Sequence, residues 1–181
     1  MKVVQPIRER SKIEEIKSIL KQKNERNYIM FCIGIYTGLR ISDILQLKVK
    51  DLKNQEYLRI WEQKTEKENR ILIHSQLKRD LKKYLENRED DEYIIKSQKG
   101  VNKPLQRDMA YKILRSSAKD LGMQEIGTHT LRKTFGYHFY MKTKNIALLM
   151  DLFNHSAQHI TLRYIGVSQD LRDKAMRSFR Y

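Results

Sequence analysis

Apolar positions change their spacing twice along the chain, and the two changes divide it into helical, extended and again helical parts. In SKIEEIKSILKQ, Ile13, Ile16, Ile19 and Leu20 recur at intervals of three and four, the period of one helix face. Ser11 and Glu14 stand three apart at its start, which predicts a reciprocal capping box. RNYIMFCIGIYTGLR is apolar nearly all round, as a helix buried in the centre of a domain is, and Thr37-Gly38 offers its stop. A short helix over residues 42–47 follows at once.

The spacing then shifts toward extended structure. YLRIWEQ and RILIH are rich in β-formers and are separated by KTEKEN, a polar connection that suits a hairpin. SQLKRDLKKYLENR returns to the helical period through Leu77, Leu81, Tyr84 and Leu85, with His74 closing the preceding strand. REDDE reads as a solvated acidic loop, and YIIKS as one more short strand.

From Lys103 onward the chain reads as helices. Met109, Ile113, Leu114, Ala118 and Leu121 mark the first, which ends at Gly122. A second begins near Thr128 and runs through Leu131, Phe135 and Phe139. NIALLMDLF predicts a third, HITLRYIG a fourth, and LRDKAMRSF a short amphipathic tail that packs on its own core by default. The expected fold is mainly α with a small antiparallel β-sheet (α+β), in a single domain over residues 1–181.

Composition sharpens this picture. With 40% hydrophobic and 33% charged residues, 7 Gly and 2 Pro, the chain has the makings of a folded core. Its net charge of +15, from 37 Lys and Arg against 22 Asp and Glu, favours a polyanionic partner: nucleic acid or an anionic membrane. No apolar run reaches the ~18 residues of a spanning helix, and MKVVQPIRER lacks the apolar core of a secretory signal. Cys32 stands alone in an apolar stretch, where a buried thiol is expected. These features predict an intracellular, cytoplasmic protein that does not bind membranes.

The candidate chemistry begins with the histidines, four of which fall within residues 129–159. A zinc site needs three or four ligands, commonly with cysteine or carboxylate, and neither HExxH nor CxxC occurs, so no metal is expected. A Gly-rich phosphate loop is missing too. Another grouping is better suited to a reaction. TGLRISDIL sets Arg40 between a glycine turn and a short helix. GTHTLRKTF sets His129 and Arg132 three apart on one face of a helix start, and NHSAQHITLRY sets His155 nine residues before Tyr164. Two arginines, two histidines, a tyrosine and a hairpin lysine can handle a phosphodiester without metal. Arginine matches two phosphoryl oxygens with a fork that stays charged. Histidine moves a proton near neutrality. Tyrosine is a nucleophile once nearby cations favour its phenolate.

TGLRISDILQLKVKDL, the HTLR of residues 129–132 and the His155-to-Tyr164 spacing resemble the catalytic domain of the tyrosine recombinase (phage integrase) family, over roughly residues 5–175. The resemblance implies that Arg40 and Arg132 clamp the scissile phosphate, and that Lys64 protonates the departing 5′ oxygen. Lys67 is the alternative for that lysine. His129 would act in proton transfer, His155 would hydrogen-bond the phosphate, and Tyr164 would form a 3′-phosphotyrosyl link. Asp43 would orient the arginines. The implied reaction needs neither cofactor nor ATP, and the implied partners are double-stranded DNA and further copies of the protein. A bacterial or phage source and association with the nucleoid are expected.

Six further cations, Lys96, Lys99, Lys103, Arg107, Lys112 and Arg115, are candidates for tracking a DNA backbone. The sequence departs from the family pattern in three places. FNH replaces LGH at residues 153–155, with Asn154 able to adopt the left-handed backbone that glycine supplies. Asp43 stands for the commoner glutamate, and the family's N-terminal clamp domain is expected to be absent. In relatives a C-terminal helix often docks on a neighbouring protomer, the rival expectation for the tail. Two other functions share this set of residues: a non-cutting DNA-binding or accessory protein, and relaxation of DNA in the manner of a type IB topoisomerase.

Overall fold

The computed structural model describes residues 4–62 and 67–179, with the side chains of Glu62 and Lys67 left aside. Among the described residues, helices dominate: α1 (Arg10–Lys23), α2 (Glu25–Thr37), α3 (Ile41–Gln46), α4 (Ser75–Leu85), α5 (Arg107–Lys119), α6 (Thr130–Thr143), α7 (Ile146–Phe153), α8 (Gln158–Tyr164) and α9 (Val167–Ser178). Strands β1 (Tyr57–Glu62) and β2 (Lys67–Leu72) pair antiparallel, from Tyr57 opposite Leu72 to Glu62 opposite Lys67. The α+β expectation holds. No described helix is long and apolar enough to cross a membrane.

Helix α2 is the axis of the main core. Tyr28 to Gly34 are buried without a break, so the helix is covered on every side, as its continuous apolar sequence requires. Asn24 caps its start by accepting from the Asn27 amide, and Gly38, at φ 69°, ends it in the left-handed conformation. Helices α1, α4 and α6 pack around it. Helix α6 comes close at Gly34, where a Cβ would lie 2.7 Å from the Cβ of Leu131.

A second, smaller core gathers Leu149 and Phe153 of α7 with Ile165 and Val167, flanked by Phe135, Leu162 and Tyr164. Helix α6 joins the two cores, since Leu131 belongs to the first and Phe135 packs on the second.

Several local expectations are corrected. Helix α1 starts at Arg10 without a side-chain cap, and Ser11 is exposed in its first turn rather than capping it. The chain is already fixed before that point: the Ile7 amide donates to Thr134 Oγ1, and Arg8 pairs with Asp170. Residues 67–69 of the presumed hairpin connection lie in β2. His74 does not end that strand but caps α4, its Nδ1 accepting from the Gln76 amide. YIIKS forms no strand. Ile94 and Ile95 are both fully buried, and their main chains bond to Leu47 and Leu105 in flanking loops. Met109 faces solvent, and Ala110 takes the inward position on α5. The tail does not bury its apolar stripe either: in α9 and just after it, Leu171, Met176 and Phe179 are exposed.

A methyl group at Gly34 has no room against Leu131. Gly34→Ala is expected to destabilise the fold by about 1–3 kcal/mol, read as a lowered midpoint in urea or thermal unfolding.

Candidate active site

Three stretches of chain that are distant in sequence meet beyond the end of α2, and two backbone carbonyls hold them together. Arg132, in the first turn of α6, is 3% exposed. Its Nη1 donates to the Gly38 carbonyl at 2.7 Å and its Nη2 to the Phe153 carbonyl at 3.1 Å. The guanidinium lies 4.2 Å from the centroid of the Phe153 ring. A buried cation is tolerated only when its donors are engaged, and here they tie the ends of α2 and α7 to the start of α6.

Each neighbouring residue is set by a helix end. Arg40 is the half-buried N-cap of α3, two residues after the left-handed Gly38. Asp43 is buried in the first turn of that helix, and its amide donates to the Arg40 carbonyl. Asp43 lines a cavity of about 100 Å³ together with Arg59 and Trp61 of β1. His129 stands at the N-cap of α6. Asn154 ends α7 at φ 51°, ψ 46°, so it adopts the left-handed turn expected of it, and His155 follows directly.

Tyr164, the last residue of α8, closes the group. Its hydroxyl lies 3.4 Å from His129 Nδ1. Its ring meets His155 edge-on at 5.3 Å between centroids and Phe153 at 5.8 Å. Thr161, one turn earlier on α8, puts Oγ1 3.0 Å from His155 Nδ1 and fixes that ring. Burial pushes the Tyr164 phenol above its ordinary value, while the charges of Arg132 and Arg40 pull it down. The proton is therefore retained at rest, and a base is needed to remove it.

The structure thus brings together Arg40, His129, Arg132, His155 and Tyr164, with Asp43 behind Arg40. Lys64 lies outside the described residues, and Lys67 opens β2. The six backbone-tracking candidates separate. Lys99, Lys103 and Arg107 line a cavity of about 870 Å³ that also takes Ser42 and Gln46 from α3. Lys112 and Arg115 line another, of about 550 Å³, with Tyr111. Lys96 is paired with Glu92 at 3.4 Å. Sequence reasoning missed Arg26, a further cation of the larger cavity, because it sits in the polar first turn of an otherwise apolar helix. It also missed Thr161, whose role exists only through its reach to His155.

The fold and the grouped side chains are those of a DNA strand transferase of the tyrosine type. Residues 9–170 match the phage integrase family profile, and the chain belongs to that family. It is 49% identical over 179 residues to YoeC of Bacillus subtilis (strain 168), a probable integrase/recombinase, covering 99% of this chain and 98% of YoeC. It is 30% identical to a tyrosine recombinase of Pseudothermotoga lettingae, covering 84% of this chain but 54% of that protein. The fold superimposes on the XerH site-specific recombinase bound to a palindromic difH substrate, in a post-cleavage complex, with a TM-score of 0.75 and 19% identity, over 98% of this chain and 54% of that one.

Because the folded phenol of Tyr164 holds its proton more tightly than an unfolded one, its contribution to stability is intact at neutral pH. That contribution is lost as pH climbs past about 10 toward the raised folded value. Arg40→Ala removes a charge that opposes this shift and is expected to raise the Tyr164 value further. Ultraviolet difference titration against the matching Tyr164→Phe protein measures it.

Proposed function

We propose that the chain cuts and rejoins double-stranded DNA at specific sites, as the catalytic domain of a site-specific recombinase, with Tyr164 as nucleophile. The convergence of two arginines and two histidines on one half-buried tyrosine hydroxyl carries this reading. Arg40 and Arg132 hold the non-bridging oxygens of the scissile phosphate and stabilise the charge that builds there. His129, at 3.4 Å, takes the phenol proton as the Tyr164 oxygen attacks phosphorus. His155 donates to a phosphoryl oxygen. The new bond is a 3′-phosphotyrosyl ester, and the bond that breaks is P–O5′. The departing 5′ oxygen takes a proton from Lys64 on the resemblance to the family. Rejoining reverses these steps with another 5′ hydroxyl, so neither ATP nor metal enters. Asp43 steadies Arg40 from within α3.

Lys99, Lys103 and Arg107, with Arg26, offer a cationic cavity beside α3 through which a phosphate backbone can run. The exposed stripe of Leu171, Met176 and Phe179 supports docking of α9 on another copy of the protein when both are assembled on DNA.

With a nicked suicide duplex carrying the target site, the wild-type protein is expected to trap a covalent DNA adduct in the presence of EDTA, and Tyr164→Phe to trap none. Adduct formation that depends on magnesium, or that persists in Tyr164→Phe, counts against the mechanism. Lys103→Ala and Arg107→Ala are each expected to weaken binding to all sequences alike. Each should flatten the slope of log K against log salt by about 0.9, measured by fluorescence anisotropy.

A further inference from the structure

Lys133 follows the buried Arg132 on α6 and is half-buried beside the nucleophile. Its Nζ donates to the Val4 carbonyl at 2.7 Å and lies 5.1 Å from the centroid of the Tyr164 ring. Phe153 and His155 meet that ring edge-on, so the ring has two aromatic neighbours and a cation on its face. The residues after Val4 are fastened to the same helix. The Ile7 amide donates to Thr134 Oγ1, His138 Nε2 bonds the Ile7 carbonyl, and Arg8 stacks on Tyr137. Arg8 also forms an ion pair with Asp170 of α9 at 2.8 Å. At Gly166, two residues after Tyr164, a Cβ would come within 2.9 Å of Arg8 Nη2 and 3.4 Å of Pro6. Residues 4–8 therefore form a strap that crosses α6 and presses on the turn behind the nucleophile.

We propose that Lys133, anchored by the Val4 carbonyl of this strap, is a positioning residue that holds the face of the Tyr164 ring and so aims its hydroxyl at the scissile phosphate. The idea rests on Tyr164 being the nucleophile. An ammonium over a phenol face is attracted by the ring quadrupole, and more strongly where water is excluded. Burial, then Arg8, push the Lys133 ammonium below its ordinary value. The Val4 carbonyl is its compensating acceptor, which keeps the side chain folded inward rather than reaching for solvent. A phenol on a single Cα–Cβ–Cγ linkage swings its oxygen by ångströms for a modest change in side-chain torsion. A restraint on the ring face therefore acts on the rate of attack more than on DNA affinity.

The test compares Lys133→Met, which keeps the methylene packing, with Lys133→Arg, which restores a cation. Thr134→Val loosens the strap that carries the Val4 carbonyl without touching the ring, and so tests the anchor. Two measurements are made on the full chain. The first is single-turnover adduct formation on the suicide duplex at saturating DNA, with DNA affinity measured in parallel. The second is the ¹⁹F resonance of 3-fluorotyrosine placed at position 164, without DNA. Lys133→Met is expected to slow adduct formation about tenfold with affinity held within twofold, and to shift or broaden the resonance. Lys133→Arg should recover most of both, and Thr134→Val, which weakens the anchor but leaves the cation, should show a smaller part of both. An unmoved resonance in Lys133→Met overturns the proposal. So does a rate within twofold of wild type, or a Thr134→Val defect as large as that of Lys133→Met. If the wild-type protein traps no adduct on any site, the recombinase reading fails, and the resonance alone decides whether Lys133 seats the ring.

Discussion

The buried guanidinium of Arg132 is the constraint on which the site depends. Its donors reach the Gly38 and Phe153 carbonyls, so the ends of two helices are fixed to the first turn of a third. Removing either carbonyl from its place would leave a charge stranded in a poorly solvated pocket, which costs far more than a lost surface contact. The left-handed Gly38 is what turns its carbonyl into position while ending α2. Arg40 follows two residues later, so the geometry of one arginine sets the approach of the other.

Tyr164 is built on a different footing. It packs on the smaller core, where Phe153 and Ile165 close over Gly136 of α6. The ring of Phe153 is shared: Arg132 lies on it, and Tyr164 and His155 meet it edge-on. The Arg132 guanidinium and the Tyr164 hydroxyl are thus registered against one aromatic side chain. Helix α6 carries residues of both cores, so the spacing of the two halves of the site follows from the rigidity of one helix.

Much of this was legible in the sequence, for identifiable reasons. The central helix was readable because burial on all sides demands an unbroken apolar run, and α2 has one. The order of Arg40, HTLR and the His155-to-Tyr164 interval survived in one dimension because each piece sits at a helix end marked by local signals. Gly38 and Asn154 are both such signals, and both adopt the left-handed backbone expected of them. The failures also have causes. The capping box at Ser11 lost to long-range anchoring of residues 4–8. YIIKS imitates a strand because two adjacent isoleucines are both buried, while their main chains bond to flanking loops. Of the six candidate cations, five divide between two cavities, and Lys96 pairs with Glu92 instead.

The sequence by itself determined the helical character, the two-stranded sheet, the family and the candidate site residues, because these depend on residue type and on spacing within single elements. Only the tertiary structure decided which groups surround the Tyr164 ring, that Arg132 donates to two backbone carbonyls, and that residues 4–8 pack behind Tyr164. Those relations join positions separated by 94, 127 and 162 residues. Contacts of that range arise from the packing of whole helices, which no local period in the chain encodes.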